Sequence, residues 1–177
     1  MRYVALLRGI NVGGKNLIKM TELKTCLEKQ GFTDVSTYIQ SGNVLFTTAG
    51  YRRDELTRRI EKSLTQTFNY PASVVLRTRK QIEDIVKRAP PGYGSNSAKY
   101  RYNVIFLKEP LTASMAMKGV LTKQGVDEAR AGVGVLYFSL LISKASQSQL
   151  SRIVGTPIYQ SMTIRNWNTT TKLLQVM

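Results

Sequence analysis

Val35-Ser36-Thr37-Tyr38-Ile39-Gln40-Ser41-Gly42-Asn43-Val44-Leu45-Phe46-Thr47-Thr48 is the stretch that decides the fold. Val35, Thr37 and Ile39 alternate along the chain, as the buried positions of a half-buried strand must. Gly42-Asn43 reads as a tight hairpin turn, and residues 44–48 as the returning strand. Strands joined by so short a turn pair antiparallel, whereas parallel neighbours need a long crossover.

Working outward, residues 3–7 (Tyr-Val-Ala-Leu-Leu) form a short unbroken apolar run that reads as a buried strand. Met20, Leu23, Cys26 and Leu27 then recur at helical spacing, with Thr21 as the expected N-cap and Gly31 as the stop. Beyond the hairpin, Leu56, Ile60, Leu64 and Phe68 fall four apart. Asp54 and Glu55 stand in that helix's first turn, where its dipole favours acids. Pro71 ends the connection and residues 73–77 form the next strand. The order is β-α-β-β-α-β, that of a ferredoxin-like unit.

The second half echoes this order. A helix carries Ile82, Ile85, Val86 and Ala89, and Pro90-Pro91-Gly92-Tyr93-Gly94-Ser95-Asn96-Ser97 then breaks all periodicity, as a linker or flexible loop would. A strand is expected over residues 102–107, a helix over 112–121, and a hairpin over 126–131 and 133–142 across Gly132 or Gly134. A helix over 146–154, a short strand over 162–164 and a closing helix over 166–176 complete the pattern. The expected fold class is α+β: two ferredoxin-like (βαββαβ) subdomains with antiparallel sheets, residues 1–79 and 80–177, and an extra C-terminal helix.

Composition narrows the chemistry. Histidine is absent and Cys26 is the only cysteine. Internal disulfides, Ser-His-Asp and Cys-His arrangements and His-based acid–base catalysis are thereby excluded. No metal site and no cofactor are expected. No stretch approaches the roughly 18 to 20 apolar residues of a membrane helix, and the start of the chain lacks a signal-peptide pattern, so a cytoplasmic protein is expected. The net charge of +15 favours polyanions or phosphorylated ligands. That charge is spread, +6 over residues 1–78 and +9 over 79–177, with no basic tract.

The loop Arg8-Gly9-Ile10-Asn11-Val12-Gly13-Gly14-Lys15-Asn16 is open to three readings. Gly9, four residues, then Gly14-Lys15 is a Walker A pattern up to its last position, where Asn16 replaces the magnesium-binding Ser or Thr. The helical pattern starts about five residues too late for a P-loop, no Walker B acid follows, and antiparallel strands argue against the NTPase core. The second reading is an anion cradle. Glycines at positive φ can turn successive N–H groups toward an anion, with Arg8 and Lys15 adding charge. In a β-α-β-β-α-β unit this loop, the turn Gln40-Ser41-Gly42-Asn43 and the connection Asn69-Tyr70 share one end of the sheet. Acylphosphatases resemble this layout, though not its loop sequence. The third reading is a plain turn: Gly13-Gly14 reverse the chain, Asn11 and Asn16 satisfy loop backbone, and Lys15 is solvated.

Other features have structural explanations beside functional ones. Cys26 on an apolar helix face reads as a small core residue. Tyr100-Arg101-Tyr102 reads either as a base-stacking pair next to a cation or as the start of a strand with one ring buried. The strand Asn43-Val44-Leu45-Phe46-Thr47-Thr48 lacks the aromatic signature of RNA-recognition modules. Arg165-Asn166-Trp167-Asn168 either line a polar pocket or cap and anchor the last helix.

Three strings carry a family resemblance: residues 7–16 (LRGINVGGKN), residues 38–44 (YIQSGNV) and residues 163–169 (TIRNWNT). They resemble the signature blocks of a bacterial family labelled domain of unknown function 1697. The resemblance runs from the first strand to the last helix. It implies two ferredoxin-like subdomains and carries no established activity, ligand or catalytic residue. One departure is residues 141–159, more polar than the family's penultimate helix.

The function expected from these observations is binding of a small phosphate- or carboxylate-bearing ligand at the first βα loop, by Arg8, Asn11, Gly13, Gly14, Lys15, Asn16, Ser41 and Asn43. Arg165, Asn166, Trp167 and Asn168 are secondary candidates. The alternatives are a phosphoryl or acyl-phosphate hydrolase at the same place, and sequence-independent nucleic-acid binding through net charge.

Overall fold

The structure is a computed structural model and describes residues 1–40 and 42–177. Two compact units make up the chain, Met1–Gln81 with Val176–Met177, and Ile82–Gln175.

The first unit contains β1 (Arg2–Leu7), α1 (Met20–Glu28), β2 (Thr33–Tyr38), β3 (Asn43–Thr47), α2 (Arg53–Phe68) and β4 (Val74–Thr78). Its sheet has the order β2-β3-β1-β4, and every neighbouring pair is antiparallel. The alternation of β1 sends Tyr3, Ala5 and Leu7 to one face. There Leu23 and Leu27 of α1 and Leu56, Ile60 and Leu64 of α2 close the core. Each such fully buried aliphatic side chain contributes about 1.5–3 kcal/mol. Phe46 anchors the layer, its ring 4.7 Å from Phe32 and 5.7 Å from Tyr3.

Two local expectations are corrected here. Helix α1 opens at Met20 after Lys19, with no side-chain cap, so Thr21 lies inside the first turn. Its carbonyl instead accepts a hydrogen bond from Thr25 Oγ1 (3.0 Å). The second concerns Ile39, which is outside β2. Its φ is 51° and its side chain is 48% exposed, because the chain has already begun to turn after Tyr38.

The helix α3 (Arg79–Lys87) follows, and from Ile82 onward it belongs to the second unit. That unit continues with β5 (Tyr100–Leu107), α4 (Ala113–Gly119), β6 (Asp127–Gly132), β7 (Val135–Leu141), β8 (Met162–Asn166) and α5 (Trp167–Val176). The sheet order is β6-β7-β5-β8, again antiparallel throughout. Ile105, Leu136, Phe138, Ala116 and Ile153 share its core. Thr112 caps α4 by accepting the Met115 N–H (3.2 Å).

Residues 146–154, expected as a helix, are not one. Short 3-10 turns occupy Ile142–Gln147, Leu150–Ile153 and Pro157–Ser161. Polar side chains capture the backbone there: Asp127 Oδ2 accepts the Gln149 N–H (2.8 Å) and Ser148 Oγ that of Leu150 (3.2 Å). Such local bonds compete with the helical ladder. Residues 90–97, expected as a linker or flexible loop, are a run of turns inside the second unit. The N–H groups of Tyr93, Ser95 and Tyr100 donate to the carbonyls of Pro90 (2.9 Å), Gly92 (3.1 Å) and Asn96 (2.9 Å).

The halves match bond for bond at one sheet end. Leu7 N–H donates to Gly42 O (2.8 Å) and Arg8 N–H to Ser73 O (3.0 Å); in the second unit Leu107 donates to Gly134 (3.0 Å) and Lys108 to Ser161 (2.9 Å). The fourth strands agree as well. Arg77 and Arg165 are both buried, face Val4 and Val104 in register, and each donates from Nη1 to the preceding carbonyl at 2.8 Å. The fold is α+β, with two ferredoxin-like subdomains and a C-terminal helix. Among the described residues no helix is long and apolar enough to cross a membrane.

Candidate functional site

The candidate site is built where β1 ends. Val12 and Lys15 form an isolated antiparallel bridge, and Gly13 and Gly14 between them have φ of 58° and 73°. Positive φ at both central positions is the geometry of a type I′ turn, which glycine adopts without a Cβ penalty. Lys15 N–H donates to Val12 O (3.1 Å) and Asn11 N–H to Asn16 O (3.2 Å). The glycine-rich loop is therefore a miniature hairpin that projects Lys15 into solvent.

Two asparagines tie the hairpin down. Asn11 (φ 53°) donates from Nδ2 to Ile18 O (3.0 Å) and Gln40 O (2.9 Å), and its Oδ1 accepts the Ile18 N–H (2.8 Å). Asn16 (φ 47°) donates from Nδ2 to Gly9 O (2.8 Å). Asparagine tolerates the left-handed region better than other side chains do, so both residues suit their backbone as well as their bonds. The Walker reading gains nothing, since α1 begins well beyond Lys15 and the sheet is antiparallel.

The loop meets the turn at Gln40 and Gly42, and meets the connection before β4 at Ser73 rather than at Asn69-Tyr70. Asn11 reaches Gln40, Leu7 N–H meets Gly42 O, and Arg8 N–H meets Ser73 O in the connection before β4. Gly42 (φ 76°) is the tightest point. A Cβ there would lie 2.8 Å from Ile10 Cδ1 and 2.9 Å from Leu7 Cβ. Ile39 beside it holds a left-handed conformation that a β-branched residue adopts at a cost of about 1–3 kcal/mol. Sequence reasoning took Gly42 as a turn residue but had no access to its approach to Ile10, which joins residues far apart in the chain.

The predicted ligand-binding residues divide. Lys15, Gly13, Gly14 and Asn16 are exposed, and Arg8 and Asn11 are half-buried. Among the described residues, no hydrogen bond engages the amide N–H groups of Gly13 and Gly14. Asn43 is fully buried in β3, where its Nδ2 donates to Tyr38 O (3.0 Å) and pins the hairpin. Ser41 lies outside the described residues. Tyr70 is 5% exposed, and its hydroxyl makes no hydrogen bond among the described residues. Burial, helped by Cys26 and Glu61, pushes its pKa up to about 12, so the phenol is neutral at physiological pH.

The secondary candidates belong to the second unit. Arg165 is buried in β8 and donates from Nη1 to Thr163 Oγ1 (2.8 Å) as well as to Ile164 O; burial lowers its pKa to about 10, so it stays cationic at neutral pH. Asn166 caps α5 by accepting the Thr169 N–H (2.7 Å). The half-buried Trp167 ring stands edge-on to Tyr93 at 5.1 Å. Asn168 is exposed, and its carbonyl accepts from Thr171 Oγ1 (3.1 Å). Among the described residues, no group of three or more Cys, Asp or Glu is arranged to hold a metal ion.

Residues 1–137, which include the hairpin and the turn beneath it, match the family described as "Protein of unknown function (DUF1697)". The chain belongs to this family. Among solved structures it is similar to a conserved bacterial protein, SP0830, from Streptococcus pneumoniae. The two are 27% identical, the alignment covers 98% of this chain and 97% of that one, and the TM-score is 0.81. No curated protein matches the chain. The family match spans the first two signature strings and ends before the third, at residues 163–169.

Proposed function

We propose that this family member binds a small anion, a phosphate- or carboxylate-bearing molecule, at the tip of the hairpin formed by residues 8–16. The observation that carries the reading is the pairing of an exposed Lys15 with two adjacent glycine amides that have no partner among the described residues. Backbone N–H groups beside an ammonium stabilise an anion through charge-assisted hydrogen bonds. Asn11 and Asn16 hold the hairpin in one conformation, which lowers the ordering cost of binding. The arrangement favours binding over hydrolysis. The side-chain amides of Asn11, Asn16 and Asn43, which would otherwise orient a water, donate to main-chain carbonyls. On this reading the protein works in the cytoplasm, where its one buried thiol stays reduced.

Thermal denaturation against sulfate, phosphosugars, nucleotides and small carboxylates, at low and high salt, tests the proposal. A small anion is expected to raise the melting temperature at both salt concentrations. Lys15→Glu is expected to abolish that rise while leaving the unliganded melting temperature unchanged. An anion-induced rise that survives Lys15→Glu would refute the assignment.

A further inference from the structure

The second unit holds a cleft of about 520 Å³ lined by its own residues. Its floor is one face of the sheet. Tyr100 and Tyr102 alternate along β5 and so point the same way, and across the ladder Tyr102 stands opposite Ser139 and Tyr100 opposite Leu141. On the next strand Glu128 stands opposite Ser139, and Arg130 opposite Tyr137. Ser139 is the small residue in the row Tyr102, Ser139, Glu128, and it leaves the depression between its larger neighbours. The turn at Pro90, Pro91, Gly92 and Tyr93 walls one side.

Two of the four tyrosines are locked and two are available. Tyr93 donates its hydroxyl to both Asn103 O (2.7 Å) and Phe138 O (3.0 Å), and Tyr137 donates to Ile85 O (2.6 Å). The Tyr93 ring is braced edge-on against Tyr102 at 4.8 Å and Tyr137 at 5.4 Å. Gly132 makes room for this packing, since a Cβ there would lie 2.6 Å from the Tyr137 ring. By contrast Tyr100 and Tyr102 are half-buried, and no hydrogen bond within the described residues engages their hydroxyls. Arg130 donates from Nε (2.7 Å) and Nη2 (2.6 Å) to the same oxygen, Glu128 Oε1. Both side chains line the cleft and stay open to solvent, a carboxylate beside a guanidinium. Lys99 Nζ lies over the Tyr100 ring, 5.4 Å from its centre, so a cation accompanies that tyrosine.

We propose that this cleft binds a single nucleobase, stacked on Tyr102 with the neighbouring Tyr100 ring, 6.1 Å away and inclined by 47°, against its edge. The Arg130–Glu128 pair meets its donor–acceptor edge, and Lys99 accompanies the attached phosphate. Aromatic faces favour a planar ligand, and the edge of a purine or pyrimidine offers donors for the Glu128 carboxylate and acceptors for the Arg130 guanidinium. A quaternary ammonium ligand, the other common guest of an aromatic cage, is disfavoured by Lys99 beside Tyr100 and by the net charge of +15. The volume suits one nucleotide.

Calorimetry, with Trp167 fluorescence as a second readout, would measure binding of adenosine, AMP, ribose 5-phosphate and a short oligodeoxyadenylate at low and high salt. Adenosine and AMP are expected to bind and ribose 5-phosphate to bind far more weakly. Loss of one stacking ring in Tyr102→Ala should weaken AMP roughly ten- to hundredfold, whereas Tyr102→Phe, which keeps the ring, should stay within a few-fold of the parent. Tyr100→Ala serves as the second variant should Tyr102→Ala fail to fold. The titrations are made in the Lys15→Glu background, which removes anion binding at the hairpin and leaves the cleft alone to be read. Tighter binding of the oligomer with a steep loss at high salt would mark a base within a single strand as the occupant; equal binding of AMP would mark a free nucleotide. The proposal is overturned if neither adenosine nor AMP binds, if ribose 5-phosphate binds as well as AMP, or if AMP binding survives the loss of either ring.

Discussion

Replacing Gly42 with alanine tests the geometry of the hairpin end most directly. Two costs add at that position. Its φ of 76° places an L-residue in the left-handed region, at about 1–2 kcal/mol. The new methyl would also lie 2.8 Å and 2.9 Å from the Ile10 side chain and 2.9 Å from Leu7 Cβ. Both neighbours are 1% exposed, so neither can move aside into solvent. Overpacking of this kind costs about 1–3 kcal/mol, giving a total of about 2–5 kcal/mol. Gly50 supplies the control: its φ is 81°, but a Cβ there meets nothing within 4 Å. Gly50→Ala should therefore show the backbone term alone, about 1–2 kcal/mol. Urea unfolding of both variants, followed by far-UV circular dichroism, isolates the packing term as their difference. Equal destabilisation of the two proteins would refute the close approach of the turn to Ile10 and, with it, the construction of the candidate site.

Other predictions follow from single side chains. Asn11→Ala removes three hydrogen bonds that tie the hairpin to Ile18 and Gln40, and should lower unfolding free energy by about 2–4 kcal/mol in urea titrations; a loss under half that would mean the loop is held by something else. Tyr70→Phe deletes a buried hydroxyl with no partner among the described residues and should raise stability by about 1 kcal/mol, the opposite of the usual core substitution; a loss of stability would show that the hydroxyl is bonded. The pKa of Tyr70, raised by burial, also sets an alkaline limit. Its contribution is intact below the unfolded value of 10.0 and is lost as pH climbs toward about 12, because only the unfolded chain then ionises readily. The urea midpoint of the parent should fall through that window, and less steeply in Tyr70→Phe. Asn166→Ala should cost about 1 kcal/mol by uncapping α5, and Asn166→Asp should restore most of it.

Much of the fold was legible because periodicity reports which face of an element is buried. The four-residue spacing of Leu56, Ile60 and Leu64 survives as the buried face of α2, and the strand around Val35 as β2. Where side chains compete with the backbone, periodicity misleads. Residues 146–154 carry apolar residues at helical spacing, yet Asp127, Ser148 and Thr156 capture the chain in 3-10 turns. Proline and glycine misled in the other direction. Residues 90–97 read as a linker, but the Tyr93 hydroxyl, bonded to two strand carbonyls, makes them a fixed wall of the cleft. The sequence singled out Tyr100 and Tyr102 while leaving stacking and burial both open; their meeting with Tyr93 and Tyr137 depends on strand register across residues far apart in the chain.

By itself, then, the amino-acid sequence determined the order of strands, the antiparallel sheets, the family and the excluded chemistries. Each of these rests on local spacing, local turn chemistry or composition. Tertiary structure alone decided that Gly42 abuts Ile10, that Asn11 clamps two other segments, that Asn43 and Arg165 are buried, and that four tyrosines share one cleft. These are contacts between residues distant in the chain, and their geometry is set by sheet register and core packing, which no local pattern encodes.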